Sequence, residues 1–159
     1  MARCVAGTGI TRGRKPMSVW IGVDPGEKRI GISRGDPLGV LATPRGVVAT
    51  RVELVQWIKV ADQEFGVEGV LIGMPRNMDG SFGPMAIRSL QLVRWLREQL
   101  DLPIQLWDER LTSSQAEKVG TSLGVDEKAA AILLQCFLDA GMPLHPDPAG
   151  LIEAADRPK

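Results

Sequence analysis

Carboxylates stand at three places in this 159-residue chain where side chains often do chemistry. Asp24 ends a buried, β-branched-rich run, and a Pro-Gly turn follows it. Asp108 and Glu109 directly follow a second apolar run, and Asp126 stands just before the last helical pattern. Each residue alone could be a turn or helix-cap residue, since Asp is common at both positions. Three such positions in one chain favour a shared site.

Convergence of these carboxylates would favour a bound cation, because like charges a few ångströms apart repel one another. Carboxylate oxygens with open water positions suit Mg²⁺ or Mn²⁺. Two such ions about 4 Å apart can activate a water and stabilise the leaving oxygen in phosphodiester cleavage. If the three positions converge, the pattern favours a site for such ions, with Asp24, either Asp108 or Glu109, and Asp126 as the candidate ligands.

The elements that must position these residues follow from the periodicity of apolar side chains. Three apolar runs joined by turns within the first 49 residues predict an antiparallel meander, the third run spanning residues 39–49 and bent or interrupted at Thr43-Pro44. Helices and strands then alternate, with predicted bounds at 51–65, 68–73, 84–100, 103–107 and 127–140. Apolar periodicity predicts two buried helical stripes, one of Leu54, Ile58, Ala61 and Phe65 and the next of Ile87, Leu90, Val93, Leu96 and Leu100. A capping box of Thr112 and Gln115 opens a short additional helix. The order βββαβαβα predicts an α/β fold with a mixed five-stranded sheet and helices on both faces.

The last helix decides whether the third carboxylate joins the other two. Asp126 lies on the same helical face as Ala130, Leu133 and Phe137, which should pack on the sheet. If this helix begins above the carboxyl edge of the sheet, its carboxylate meets those that follow the first and fifth strands. A helix N-cap explains Asp126 equally well when it is considered alone.

Composition restricts the class of protein. Hydrophobic residues make up 44% of the chain and charged residues 24%, as in a soluble globular domain. Two cysteines and one histidine are too few for a disulfide framework or a Cys/His zinc cluster. The chain has neither a long apolar run nor a signal-peptide pattern, which predicts a cytoplasmic protein. We expect a disordered basic extension at 1–17, one domain at 18–141 and a loose tail at 142–159.

The formal net charge of zero conceals an asymmetry along the chain. Residues 1–51 carry nine Lys/Arg against three Asp/Glu, and the rest carries ten against sixteen. This distribution favours a polyanion-facing segment beside an acidic site. Ordinary variation of the surface is the alternative, since a nucleic-acid footprint requires clustering in space.

Four stretches together resemble the YqgF/RuvX family of RNase H-like pre-16S rRNA nucleases, also described as Holliday-junction-resolvase-like proteins. They are DPGEKRIGIS at 24–33, GMPRNMDGS at 73–81, DERLTSSQAE at 108–117 and VDEKAAAILLQ at 125–135. The resemblance extends from about residue 19 to residue 139, and the motifs stand in family order. It implies an RNase H-like fold and a metal-dependent nuclease with catalytic Asp24, Glu109 and Asp126. Asp108 is an alternative or auxiliary metal ligand.

The resemblance also implies contacts with nucleic acid. The residues expected to make them are Lys28, Arg29, Arg76, Asn77, Ser81 and Arg110. Some of these residues have structural alternatives. Asn77 can set an Asx-type turn, a neighbouring carboxylate can hold Arg29, and Arg110 can tether the end of its strand.

The implied substrate is structured RNA during maturation of the pre-16S 5′ end, with ribosomal precursor particles as a partner and no membrane. Cleavage of branched DNA is the alternative within the same chemistry. It requires a homodimer, whereas RNA cleavage is compatible with a monomer. An actin-like phosphotransferase shares the strand–DxG–strand pattern, but 159 residues leave no room for its second lobe. A ribosome- or transcription-associated binding protein would not need to keep all three mutually repelling acidic positions.

Overall fold

A computed structural model describes residues 18–111, 125–148 and 150, with the backbone alone at 111 and 125–127. The elements are β1 (Val19–Pro25), β2 (Ile30–Gly35), β3 (Ala42–Val48), α1 (Arg51–Glu64), β4 (Val67–Met74), α2 (Pro84–Gln99), β5 (Ile104–Asp108), a 3-10 turn (Glu109–Leu111) and α3 (Val125–Asp139). No helix in the described ranges is long and apolar enough to cross a bilayer. The predicted extension 1–17, the short helix from Thr112 and the tail residues 151–159 lie outside the described residues.

The five strands form one mixed sheet in the order β3-β2-β1-β4-β5. The first three strands pair antiparallel, while β4 pairs parallel with both β1 and β5. The carboxyl ends of β1, β4 and β5 therefore share one edge of the sheet. The predicted α/β fold with a mixed five-stranded sheet is confirmed.

Helices α1 and α2 cover one face of the sheet. The side chain of Thr50 caps α1 by accepting a hydrogen bond from the backbone N–H of Glu53. The predicted stripe of α1 is buried at Leu54, Ile58 and Ala61. In α2 the predicted residues Leu90, Val93, Leu96 and Leu100 are buried, but Ile87 is only partly buried. Ala86 and Ser89 are buried instead, because α2 turns its small side chains toward β4, where the Ser89 hydroxyl bonds the Gly73 carbonyl at 2.9 Å.

Among the described elements, helix α3 covers the opposite face, and aromatic side chains fill the space beside it. The ring of Phe137 lies 4.7 Å from that of Trp20 and 5.8 Å from that of Trp107. The buried Ser33 hydroxyl donates a hydrogen bond of 2.7 Å to the Ala130 carbonyl, which joins β2 to α3. Helices thus cover both faces, as the sequence predicted.

Residues 143–147 lie against β5 and α2, although a loose tail was expected there. The Gln105 side chain donates to the Pro143 carbonyl at 3.0 Å. The rings of Trp107 and His145 stack at 5.7 Å with an interplanar angle of 6°. Arg97 pairs with Asp147 at 2.9 Å. These polar and aromatic partners attach a segment that has no apolar period of its own.

The edge strand β3 is shorter than predicted because the turn before it has its own hydrogen bonds. One oxygen of Asp36 accepts the backbone N–H groups of Val40 and Leu41 at 2.7 and 3.1 Å. Pairing with β2 starts only at Ala42, and its register shifts where Pro44 stands opposite Ser33. The predicted interruption at this proline is therefore a local irregularity within one strand.

Candidate active site

Backbone register brings the first two carboxylate positions to the same edge of the sheet. Val23 of β1 pairs with Ile72 of β4, and Met74 of β4 pairs with Asp108 of β5. Asp24 is the residue after Val23, and Glu109 is the residue after Asp108. Carboxyl ends of parallel strands are the usual place for a site in open α/β sheets.

Gly73 lies between the two carboxylates and leaves room for them. A Cβ atom built on Gly73 would lie 2.6 Å from Glu109 Oε1 and 3.5 Å from Asp24 Oδ1. It would also lie 2.9 Å from Leu133 Cδ2, which reaches over from α3. Gly73 is therefore required at this point, since any larger side chain would displace Glu109 or Leu133.

The carboxyl groups of Glu109 and Asp24 are joined by a hydrogen bond. Burial, the hydrogen bond to Asp24 and the negative charges of Asp24 and Asp108 together raise the pKa of Glu109 to about 8. At neutral pH the Glu109 carboxyl group therefore keeps its proton and donates a hydrogen bond to the Asp24 carboxylate. A half-buried carboxyl pair with a strongly raised pKa is a common property of functional sites.

The chemistry of this pair fits a divalent metal ion. The proton on Glu109 removes the repulsion between the two carboxylates. A bound cation would remove the same repulsion in its place. An oxygen-only donor set matches Mg²⁺ or Mn²⁺. Among the side chains that the structure describes, no group of three His, Cys, Asp or Glu could hold a metal ion. A third carboxylate would have to come from outside these side chains.

Asp126 is the predicted third carboxylate, and its side chain lies outside the described residues. Its backbone is in the first turn of α3. Late in α3, Leu138 approaches Gly35, which ends β2 beside the start of β1. Earlier in α3, Ala130 approaches Gly22, which lies farther along β1. The amino-terminal end of α3 therefore points toward the edge of the sheet that carries Asp24.

Asp108, the other predicted ligand, is paired with arginines. The Arg110 backbone N–H bonds Asp108 Oδ1 at 2.9 Å, and Arg110 Nη2 bonds Asp108 Oδ2 at 2.8 Å. Arg76 Nη1 lies 3.5 Å from the same Oδ2. Partial burial raises the pKa of Asp108, but the Arg110 hydrogen bonds and the charges of both arginines outweigh it and lower that pKa overall. Arg110 thus does tether the end of its strand.

The loop between β4 and α2 is held together by its own polar side chains. The Asn77 side chain donates to the Ser81 hydroxyl at 2.8 Å, and the Ser81 hydroxyl and backbone N–H both bond Asp79. Arg76 donates to the Gly80 carbonyl and stacks on the Phe82 ring at 4.4 Å. An Asx-type turn is thus present at Asp79, whose Oδ1 accepts the backbone N–H of Ser81 at 2.8 Å.

Two predicted phosphate contacts lie in the exposed turn that follows Asp24. Lys28 and Arg29 are both exposed, and the Gly26 N–H closes the turn on the Arg29 carbonyl at 2.8 Å. They stand on the same hairpin as the catalytic candidate Asp24. The structure thus brings nine of the predicted residues to one edge of the sheet or its adjoining loops: Asp24, Lys28, Arg29, Arg76, Asn77, Ser81, Asp108, Glu109 and Arg110.

A family model described as "RuvX: Holliday junction resolvase" matches residues 18–140. The chain belongs to the RuvX family. The predicted membership is confirmed, and the match covers every described element of the fold.

Curated members of the RuvX family are similar along nearly their whole length. A protein of Pelotomaculum thermopropionicum is 38% identical over 132 residues, which cover 76% of this chain and 86% of that protein. A protein of Halothermothrix orenii is 36% identical over 136 residues, which cover 79% of this chain and 97% of that protein. Both carry the name "Putative pre-16S rRNA nuclease".

Solved structures support the fold. Thermus thermophilus RuvC in complex with a Holliday junction substrate is 15% identical, with a TM-score of 0.51. The match covers 79% of this chain and 97% of that one. At this identity the likeness establishes the fold shared by RuvC and this RuvX-family chain.

Three residues of the RuvX-family site were not predicted from the sequence. Gly73 carries a signal, because a glycine ending an otherwise apolar strand often marks a close approach. Ser89 bonds the Gly73 carbonyl at 2.9 Å, and Arg88 reaches the Glu27 carbonyl of the first hairpin at 3.5 Å. Neither of these two residues carries a local signal, since each contact joins positions distant in the chain.

Proposed function

We propose that this RuvX-family chain is a divalent-metal-dependent endonuclease that hydrolyses phosphodiester bonds of structured RNA. The proposed process is maturation of the 5′ end of pre-16S rRNA in the cytoplasm. The observation that carries the proposal is the carboxyl pair of Glu109 and Asp24 on either side of Gly73. A pair that retains a proton at neutral pH, at the carboxyl edge of the sheet, is suited to exchange that proton for a cation.

The proposed ligands are Asp24, Glu109 and Asp126, and bound Mg²⁺ or Mn²⁺, as two ions, supplies an activated water and stabilises the leaving oxygen. Glu109 would give up its proton on binding the metal, whose positive charge would offset the burial and the repulsion from Asp24 that raise the pKa of Glu109. Leu133 and Gly73 limit the space around Glu109 and hold its carboxyl group toward Asp24. The direction of α3 supports the contribution of Asp126.

The proposed contacts with the nucleic-acid backbone surround this pair. Lys28 and Arg29 are exposed on the hairpin that follows Asp24, and Arg76 and Arg110 lie beside Asp108. Asn77 and Ser81, in the neighbouring loop, are the proposed neutral donors. Cationic and hydroxyl groups of this kind position a phosphate backbone without reading its sequence.

The names of the curated relatives support RNA as the substrate, with ribosomal precursor particles as the partner. Branched DNA is the second candidate, since the family description is a Holliday junction resolvase and the similar RuvC structure holds such a junction. Symmetric cleavage of a four-way junction needs two active sites, so this candidate implies a homodimer, whereas RNA cleavage is compatible with a monomer.

The test compares Mn²⁺-dependent cleavage of a structured pre-16S rRNA fragment and a four-way DNA junction. Wild type is assayed beside Asp24→Asn, Glu109→Gln and the matched control Glu98→Gln, which changes an exposed glutamate of α2. We expect wild type and the control to cleave the RNA, and the two site variants to be inactive. Paired nicking of the junction with intact RNA would favour the second candidate. Inactivity of wild type on both substrates in Mn²⁺ and in Mg²⁺ would reject the nuclease.

A further inference from the structure

Asp108 stands next to Glu109 in sequence, yet its oxygens have different partners. Arg110 binds both of them, with Nε at 3.2 Å from Oδ1 and 3.1 Å from Oδ2 and with Nη2 at 2.8 Å from Oδ2. The backbone N–H of Arg110 adds a further bond to Oδ1 at 2.9 Å. A metal ion at Asp108 would have to displace these charge-assisted hydrogen bonds.

A second guanidinium group approaches the same carboxylate from the loop between β4 and α2. Arg76 Nη1 lies 3.5 Å from Asp108 Oδ2, while Nε and Nη2 bond the Gly80 carbonyl. The Phe82 ring lies 4.4 Å from the Arg76 Cζ atom and supports the guanidinium plane. Both guanidinium groups thus share the Asp108 carboxylate, and the negative charge of Asp79 also acts on Arg110.

Gly80 lies beside both guanidinium groups. A Cβ atom built there would lie 3.6 Å from Arg110 Nη1 and 3.7 Å from Arg76 Nη2. Arg110 Nη1 is the nitrogen of that side chain that takes no part in the bonds to Asp108. The two side chains are 21% and 33% exposed, so both can meet a ligand from solvent.

We propose that Asp108 is a positioning residue, not a metal ligand, and that it holds Arg76 and Arg110 as a pair that binds a backbone phosphate beside the carboxyl pair. The proposal rests on the proposed nuclease function. Asp108 neutralises the repulsion between the two guanidinium groups when no phosphate is present. A phosphate would then accept hydrogen bonds from a guanidinium nitrogen that takes no part in the bonds to Asp108, Arg110 Nη1, and Arg geometry suits its oxygens.

The test is a double-mutant cycle in the full chain, with Mn²⁺ binding measured separately by calorimetry. Asp108→Asn is made in wild type and in the Arg76→Gln/Arg110→Gln background. We expect the Mn²⁺ affinity of Asp108→Asn to stay within about twofold of wild type, whereas Glu109→Gln weakens it at least about tenfold. We expect Asp108→Asn to lower kcat/KM on the RNA about tenfold in wild type and by less than about twofold in the arginine-free background, because coupled residues are not additive.

Two outcomes would overturn the proposal. One is loss of an Mn²⁺ site or a tenfold weaker affinity in Asp108→Asn, and the other is an equal effect of this substitution in both backgrounds. If Asp108→Asn does not fold, Arg110→Lys is used in its place, since lysine keeps the positive charge but lacks the guanidinium fork. Weaker catalysis with unchanged Mn²⁺ binding then supports the arginine pair. Unchanged catalysis opposes it.

The same cycle separates this proposal from the proposed function. If wild type cleaves no substrate, the cycle is repeated on metal-free binding of the RNA fragment, measured by fluorescence anisotropy. Non-additive binding with unchanged Mn²⁺ affinity supports the arginine pair even though the nuclease has failed. Additive binding rejects the pair whether or not cleavage occurs.

Discussion

The Glu109 carboxyl group donates a hydrogen bond to the Asp24 carboxylate, although the two residues lie 85 positions apart in the chain. Only the parallel pairing of β1, β4 and β5 brings them together, with Gly73 of the middle strand between them. Two adjacent acids that carry one negative charge between them are less stable than two separate surface carboxylates. The fold nevertheless maintains this arrangement, which fits the proposed metal site.

Asp24→Asn should abolish cleavage without weakening the fold. The amide removes a proposed ligand, so we expect kcat to fall by at least about a hundredfold. It also removes the negative charge that helps raise the pKa of Glu109, so the melting temperature in EDTA should be equal to or higher than that of wild type. Melting curves in EDTA and single-turnover cleavage measure the two effects. A large drop in melting temperature would show that Asp24 mainly supports the fold.

Stability without metal should fall as pH rises toward 8, because of Glu109. The pKa of Glu109 is raised from 4.5 to about 8 in the fold, so between these values the folded chain holds a proton that the unfolded chain has lost. The free energy of unfolding therefore decreases with rising pH in this window, and this contribution is level above about pH 8 and below about pH 4.5.

Glu109→Gln isolates that contribution, since other titrating groups are common to both proteins. Urea unfolding in EDTA at several pH values between about 5 and 9 gives the difference between wild type and variant. We expect wild type to lose stability relative to the variant as pH rises. A difference that is constant with pH would mean that Glu109 titrates normally.

Gly73→Ala should disrupt the site and destabilise the chain. Its Cβ would lie 2.6 Å from Glu109 Oε1 and 2.9 Å from Leu133 Cδ2, so one of these groups must move. We expect a loss of about 1–3 kcal/mol in the free energy of unfolding and a large loss of cleavage. Gly35→Ala is the control, because its Cβ would make ordinary contacts, the nearest at 3.5 Å. Equal effects of the two substitutions would contradict the close approach at Gly73.

Ser33→Ala should loosen α3 from the sheet. The buried hydroxyl of Ser33 donates to the Ala130 carbonyl at 2.7 Å, one turn from the proposed ligand Asp126. We expect a loss of about 1 kcal/mol in urea unfolding and weaker Mn²⁺ binding. Ser18→Ala is the matched control, since the Ser18 hydroxyl is buried and has no hydrogen-bond partner among the described residues. That control should be neutral or stabilising; the reverse order of the two variants would show that the Ser33 bond contributes nothing.

The sequence predicted what depends on local period and on strand ends. The stripe of α1 from Leu54 to Ala61 and the buried face of α3 at Leu133 and Phe137 follow the helical repeat and are buried. Asp24 and Glu109 were predicted to converge because each follows a core strand, and the register of parallel strands brings them together.

Long-range polar pairs were beyond such reasoning. Arg76 meets Asp108 across 32 positions, and Arg97 meets Asp147 across 50, so neither pair leaves a pattern in its own segment. Asp108 was given as an alternative or auxiliary metal ligand because it stands beside Glu109 at the end of its strand, and its arginine partners could not be predicted. The rotation of α2, which buries Ser89 and leaves Ile87 partly exposed, depends likewise on a contact with β4 that periodicity does not contain.

The irregular strand β3 has a consequence for how copies of this chain behave when crowded. A sheet edge offers unpaired backbone groups to any passing strand, which is a route to aggregation. Pro44 has no N–H group to offer at this edge, and the register shift opposite Ser33 makes the edge strand irregular. At the other edge, Gln105 and Trp107 of β5 hold residues 143–147 alongside. Neither border is a flat template, so the protein should stay dispersed at high concentration.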